Sequence, residues 1–219
     1  TVSNPSDSKY DGEEHRNKPT VTDTKTKATL KEGRDYELSY SEDVTNAGTV
    51  TVTVTGIGNY EGSFEVTYEI TKRNVTLTSG SASRVYNKEA LTNKEVTVSG
   101  DGFAKDEGAT YKVTGSQTEV GESDNTFTYT LKEGTLASNY NITKKEGKLS
   151  ITPVTDEVTV TIKGNKDTAP YNGTEQSVSG YTVESISNTL YTSTDFTLNG
   201  QARATGKAVS YTHLTLPTT

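Results

Sequence analysis

The stretch that most constrains the fold runs from Asn46 to Gly62. Between Thr49 and Thr55 threonine and valine alternate without a break. A period of two puts every valine on one face of a pleated strand and every threonine on the other, the pattern of a half-buried strand. Gly56, Gly58, Asn59 and Gly62 then supply turn chemistry, because glycine and asparagine accept positive φ at low cost. Phe64 to Ile70 alternates again, so the spacing predicts two strands pairing across that turn. No segment of the chain sustains a helical period; Lys88 to Leu91 offers one turn of helix at most.

The same grammar extends in both directions. Residues 1–9 are polar with one proline and are expected to be a linker or the frayed end of a preceding module. Tyr10-Asp11-Gly12 is a turn, and Pro19 to Thr22 is a short extended piece suited to a sheet edge. Tyr36, Leu38 and Tyr40 share one face, and a first β module over residues 10–72 closes on Val66, Tyr68 and Ile70. A second, over residues 73–153, opens on Val75 and Leu77. It continues through Val96 and Val98, Tyr111 and Val113, and Phe127, Tyr129 and Leu131, and ends at Leu149-Ser150-Ile151-Thr152-Pro153.

Tyr86-Asn87-Lys88 stands 76 positions after Tyr10, and Tyr171-Asn172-Gly173 stands 85 positions after Tyr86. Asn59 to Ile70 spans 11 positions and Asn139 to Ile151 spans 12, so an end-hairpin recurs at nearly constant spacing, the mark of an internal repeat. A third module over residues 154–209 carries Val158 to Ile162, Val178, Tyr181, Val183, Phe196 and Leu198, but no Asn-Tyr hairpin and no closing Ile-Thr. An unpaired edge is expected there, making residues 155–209 the least stable part of the chain.

Composition narrows the function classes. Hydrophobic residues make up 29 % of the chain and the net charge is −7, close to the disordered boundary. The apolar residues are placed in alternation, however, and threonine is about a fifth of the chain, which suits thin-cored β modules with one wet face. Such modules bury little surface and are individually marginal. The absence of cysteine excludes disulfides, thiolate metal sites and cysteine nucleophiles. The absence of methionine marks a fragment of a longer protein. No apolar run is long enough to span a membrane and no signal peptide is present, which in a fragment says nothing of the parent. The acidic balance argues against nucleic acid and anionic membrane as partners.

His15, among Glu13, Glu14 and Arg16, reads as a solvated loop, and with His213 as the only other histidine a histidine triad or two-histidine metal site is not expected. Gly56-Ile57-Gly58 with Gly62 misses the dinucleotide spacing and precedes no helix, so it reads as a hairpin turn. Asp101, Asp106 and Glu107 offer oxygen ligands for calcium, but their spacing fits no calcium loop and Lys105 opposes it. Thirteen tyrosines and no tryptophan raise the question of glycan stacking. Tyr36, Tyr40, Tyr68, Tyr129 and Tyr140 are assigned to the core, and Tyr60, Tyr171, Tyr181 and Tyr191 to the surface. An intramolecular Lys–Asn isopeptide bond would need a buried lysine, an asparagine and a carboxylate together. Asn74, Asn141 and Asn172 match the glycosylation acceptor pattern by chance. No catalytic, cofactor-binding or metal-ligating residue is assigned.

Tyr10-Asp11-Gly12, Gly33-Arg34-Asp35-Tyr36, Ser39-Tyr40, Ala47-Gly48-Thr49 and Gly56-Ile57-Gly58-Asn59-Tyr60 resemble the Tyr-Asp-Gly-type repeats of bacterial surface proteins. Ile70-Thr71-Lys72, Val85-Tyr86, Asn139-Tyr140-Asn141-Ile142 and Gly147-Lys148-Leu149-Ser150-Ile151 resemble the related MBG-type repeat. Val158 to Ile162, Tyr171-Asn172-Gly173 and Ser179-Gly180-Tyr181 resemble a further variant. The second unit departs from the pattern with Asn87-Lys88 where a glycine is usual, and with Val120-Gly121-Glu122 at a strand entry. The resemblance implies an all-β chain of tandem small β-sandwich or β-grasp-like modules, extracellular, wall-attached or secreted. It implies a stalk, spacer or adhesive role, no enzyme activity and no cofactor. Its expected partners are neighbouring modules of the same chain. The alternative is a module that binds glycans or host proteins. Residues 210–219 resemble a translated sequencing-adapter read-through rather than native sequence. The competing reading of Leu216-Pro217-Thr218-Thr219 is the start of a sorting signal, whose further elements do not follow.

Overall fold

The computed structural model describes residues 1–197 and 202–207, so Leu198, His213 and the tail 210–219 lie outside the described residues. The chain is all-β and divides into two compact units, Thr1–Thr152 and Pro153–Thr219.

In the first unit, β1 (Ser8–Lys9), β2 (Tyr36–Tyr40), β3 (Gly48–Gly56) and β4 (Ser63–Thr71) form one sheet in the order β1-β4-β3-β2. The predicted hairpin is present: β3 and β4 run antiparallel from Thr55 opposite Ser63 to Gly48 opposite Ile70. Val50, Val52 and Val54 are buried while Thr51 and Thr53 lie on the wetter face, as the period-two pattern requires. Glycine is needed at the turn, since a Cβ on Gly56 would lie 2.9 Å from the backbone nitrogen of Glu61.

The chain continues through β5 (Arg73–Ser79), β6 (Ala82–Val85), β7 (Val96–Gly100), β8 (Ala109–Val113), β9 (Gly121–Asp124) and β10 (Phe127–Leu131). A 3-10 turn at Ala137–Asn139 leads into β11 (Tyr140–Lys145) and β12 (Lys148–Thr152). These strands make three small sheets, β11-β5-β7, β6-β12-β9 and β10-β8. Two of the pairings, β11 with β5 and β12 with β6, are parallel, as is β1 with β4.

Two expectations need correction. Residues 1–9 are not a linker: β1 pairs with the end of β4, and Val2 bridges Val21. The pairing is made by backbone groups, to which the polar side chains of Ser8 and Lys9 are indifferent. Nor does a division fall between residues 72 and 73. Only Lys72 separates β4 from β5, and Val52, Val66 and Ile70 pack in one cluster with Val75, Leu77, Phe127 and Tyr140. Two thin apolar faces thus close on each other rather than each on its own. A smaller cluster of Leu91, Leu149 and Ile151, with Ala82 and Tyr86 against it, fills the β6-β12-β9 side.

The second unit begins at Pro153, where the sequence also places a boundary. It contains β13 (Val160–Gly164), β14 (Gln176–Ser179), β15 (Tyr181–Ile186) and β16 (Arg203–Gly206), paired as β13-β15 and β14-β16. Among its described residues no hydrophobic side chain is fully buried. In a hydrogen-exchange time course, the β13–β16 amides are therefore expected to exchange at least about tenfold faster than those of β3 and β4. Equal protection would refute this.

Candidate functional site

Three tyrosines open the same local turn. In each, the following Asp or Asn accepts a hydrogen bond from the backbone two residues on. Asp11 Oδ1 accepts from Glu13 N at 2.9 Å, Asn87 Oδ1 from Glu89 N at 3.1 Å, and Asn172 Oδ1 from Thr174 N at 3.0 Å. The third residue is left-handed every time, with φ of +90° at Gly12, +69° at Lys88 and +78° at Gly173. Lys88 therefore holds the glycine conformation without glycine. A non-glycine residue there costs roughly 1–2 kcal/mol, and glycine costs roughly 0.5–1 kcal/mol more chain entropy. Lys88→Gly is expected to be stabilising by about 0.5–1 kcal/mol in urea denaturation. The first two turns are also anchored alike: Tyr10 N donates to Thr71 O and Tyr86 N to Thr152 O, both at 2.9 Å.

The carboxylates of the candidate calcium loop do not converge. Asp101 pairs with Lys9 Nζ at 2.6 Å and accepts from Asn74 N at 2.8 Å, which together hold its carboxyl below the usual range. Glu107 instead accepts the hydroxyls of both Tyr10 and, at 2.6 Å, Tyr140. Tyr140 stacks edge-on against Tyr10 and Phe103, and its hydroxyl also accepts from Ala104 N at 3.0 Å. Asn139 is fully buried beside them, accepting from Ala47 N at 2.9 Å and donating to Asn46 at 2.8 Å. The cluster joins the N-terminal turn to residues 46–47, 104–107 and 139–140. It ties these segments together through side-chain hydrogen bonds and ring contacts. Among the described residues no group of three or more His, Asp or Glu side chains is placed to hold a metal ion.

Burial first, then the Glu107 hydrogen bond, pushes the Tyr10 hydroxyl up to about 12, and the same two causes raise Tyr140. Because the folded value lies above the unfolded one, the associated stability is complete below pH 10 and is lost as pH rises through 12. For Tyr10 this is on the order of 2–3 kcal/mol. The urea midpoint is expected to fall between pH 9 and 11.5 by less in Tyr10→Phe than in the unaltered chain, and an unchanged alkaline slope would contradict the cluster's role.

The tyrosine assignments are mixed. Tyr36, Tyr68 and Tyr140 are buried, Tyr40 is half-buried, and Tyr171 and Tyr191 are exposed, all on the expected sides. Tyr129 departs: it is 36 % exposed, opposite the half-buried Tyr111 on the two-stranded β10-β8 sheet. Tyr60 and Tyr181 are half-buried rather than free, and the Tyr60 hydroxyl donates to Asp23 Oδ2 at 3.2 Å. Tyr60 walls a cleft of about 300 Å³ with Val2, Val21, Leu30, Tyr36, Val54 and Phe64, rimmed by Asp35 and Glu61. Phe64 is 58 % exposed at its mouth. The cleft can take an apolar ring face against its aromatic walls, and period-two reasoning alone did not assemble it.

The remaining candidates are placed plainly. His15 is not in a solvated loop: its ring lies 2.9 Å from Asp11 Oδ1, and its carbonyl accepts the Tyr68 hydroxyl. Among the described residues no lysine amine is hydrogen-bonded to a buried asparagine. Lys144 bonds Phe127 O and Glu146, while the Asn125 amide bonds Gly80 O and Asn93 O. Asn74 and Asn141 face each other across β5 and β11 and share an amide hydrogen bond of 3.0 Å. Among the described residues no helix is long and apolar enough to cross a membrane. Compared with known proteins, the chain matches no family model and no curated sequence.

Proposed function

We propose that the chain is a non-enzymatic segment of a bacterial cell-surface protein, a stalk or spacer of Tyr-Asp-Gly-type and MBG-type β units. The observation that carries this reading is the recurrence of one Tyr-Asx-left-handed turn at Tyr10, Tyr86 and Tyr171, anchored alike in the first two. A chain of repeated units has its stability set by each unit and its neighbour contacts, which suits a spacer. The chemistry-bearing side chains fit that use. His15 bonds Asp11, Glu107 accepts two tyrosine hydroxyls, and Asp101 bonds Lys9 and the backbone N–H of Asn74. Its partners are neighbouring units, and it works outside the cell, with no cofactor.

One observation favours a second reading, a module that binds glycans or host proteins: the open aromatic cleft at Tyr36, Tyr60 and Phe64. A glycan array and a panel of immobilised matrix proteins separate the two. The spacer reading expects background signal throughout. Saturable binding abolished by Phe64→Ala, in a chain that still melts normally, would overturn it in favour of the binding module.

A further inference from the structure

The second unit follows the β5–β7 region of the first at a constant offset. Gly80 N donates to Glu95 O at 2.9 Å; 85 positions on, Asn165 N donates to Gly180 O at 3.0 Å. Ser79 opposes Val96 and Leu77 opposes Val98, while Gly164 opposes Tyr181 and Ile162 opposes Val183. Leu91, bridged antiparallel to Gln117, maps at the same offset onto Gln176, which is paired antiparallel with Gly206, four positions beyond the constant offset from Gln117. By this correspondence residues 167–170 stand where β6 stands in the first unit. There β6 lies parallel to β12, Tyr86 N donates to Thr152 O, and Tyr86 packs with Leu149 and Ile151.

Among the described residues of the second unit no strand lies against residues 167–170. A groove lies there instead, bounded by Asp167, Ala169, Gln176, Val178 and Gly206 and running past Pro170 to Tyr171. Tyr171 is 64 % exposed, whereas Tyr86, its counterpart beside β12, is half-buried. We propose that this groove accepts an extended strand of the β12 type, alternating apolar and polar residues and ending in Ile-Thr, parallel to residues 167–170.

The backbone chemistry agrees. Donors toward a given neighbour alternate along a strand, so with Tyr86 N facing β12, the residue before it faces away. By the same correspondence Pro170 falls at that outward position, where a missing N–H costs nothing, and Ala169 and Tyr171 fall at the positions whose donors face β12 in the first unit. Strand addition of this kind takes its affinity from main-chain hydrogen bonds and its register from alternate side chains. The incoming Ile would occupy the place that Ile151 holds against Ala82 and Tyr86. This inference rests on the internal correspondence and stands whether or not the chain acts as a spacer.

The test adds the peptide Glu-Gly-Lys-Leu-Ser-Ile-Thr-Pro to the full chain and follows hydrogen exchange. The Tyr171 and Ala169 amides are expected to slow at least about tenfold, saturably, with β3 unchanged. The same peptide with Asp in place of Ile is expected to have no effect. Because an untethered strand binds weakly, a second chain carries the peptide on a flexible C-terminal linker, which supplies a local concentration in the mM range. Absence of protection in the tethered chain would overturn the proposal. So would equal protection by the Asp peptide, or protection that tracks dimerisation of the chain alone and that the peptide does not displace.

Discussion

Phe127→Ala is expected to lower the stability of the first unit by about 3–5 kcal/mol. The ring is 1 % exposed and lies in the cluster that also holds Val50, Val66, Ile70 and Leu77. The Lys144 ammonium sits 5.0 Å from the ring centroid, and the same amine donates to the Phe127 carbonyl at 2.8 Å. Truncation removes the aromatic payload and leaves a cavity that three sheets meeting at fixed backbone positions cannot readily close. Because the cluster draws on both sides of residue 72, the loss should appear in β3 as much as in β10. The urea midpoint should fall with an unchanged slope, as for a mutation that alters stability without altering the denatured state. A loss confined to amides after residue 72 would mean that the two halves are stabilised separately.

The second large effect belongs to Gly147. It sits in a buried exchange of backbone and side-chain hydrogen bonds between β11 and β12. Gly147 N donates to Ser79 Oγ at 3.0 Å, and its carbonyl accepts from Asn125 N at 2.8 Å. Ser79 Oγ donates onward to Asn125 O at 2.6 Å, and both Ser79 and Asn125 are essentially inaccessible. A Cβ on Gly147 would lie 2.4 Å from Ser79 O and 2.8 Å from Gly80 O. Those are backbone atoms already committed to the sheet, so the clash must be relieved by parting β5 from the 146–147 corner. Gly147→Ala is expected to cost about 3 kcal/mol. At about 2–4 °C per kcal/mol for a domain of this size, the melting temperature should drop by roughly 6–12 °C. Gly164→Ala is the control, since nothing lies within 4 Å of the added carbon. It should stay within about 0.5 kcal/mol of the unaltered chain.

These two residues also mark what was legible in the sequence. Strands β3 and β4 are readable because Val52 and Thr53 must face opposite ways, and a turn of Gly56, Gly58 and Gly62 folds the two strands onto each other. Which strand lies beside Ser8, or beside Asn141, was not readable, because parallel pairs are joined by backbone bonds over long separations and period two is silent about partners. The shared core was hidden for a related reason. Val75 and Leu77 alternate the same way whether their face meets their own module or the one before. His15 looked solvated from its charged neighbours, yet the ring and carbonyl turn inward to Asp11 and Tyr68. Glu107 reads from its neighbours as a cation ligand; nothing local in Lys105-Asp106-Glu107 announces two tyrosines from distant parts of the chain. Lys88 departs from glycine in the turn pattern, and the left-handed backbone conformation persists there.

The central claim is that residues 1–152 fold as one unit whose core crosses residue 72. Native-state hydrogen exchange across a series of low urea concentrations tests it most directly. The slowest amides of β3 and those of β5 and β11 are predicted to share one opening free energy and one dependence on urea. Two separate opening free energies, one for strands before residue 72 and one for strands after it, would contradict the claim.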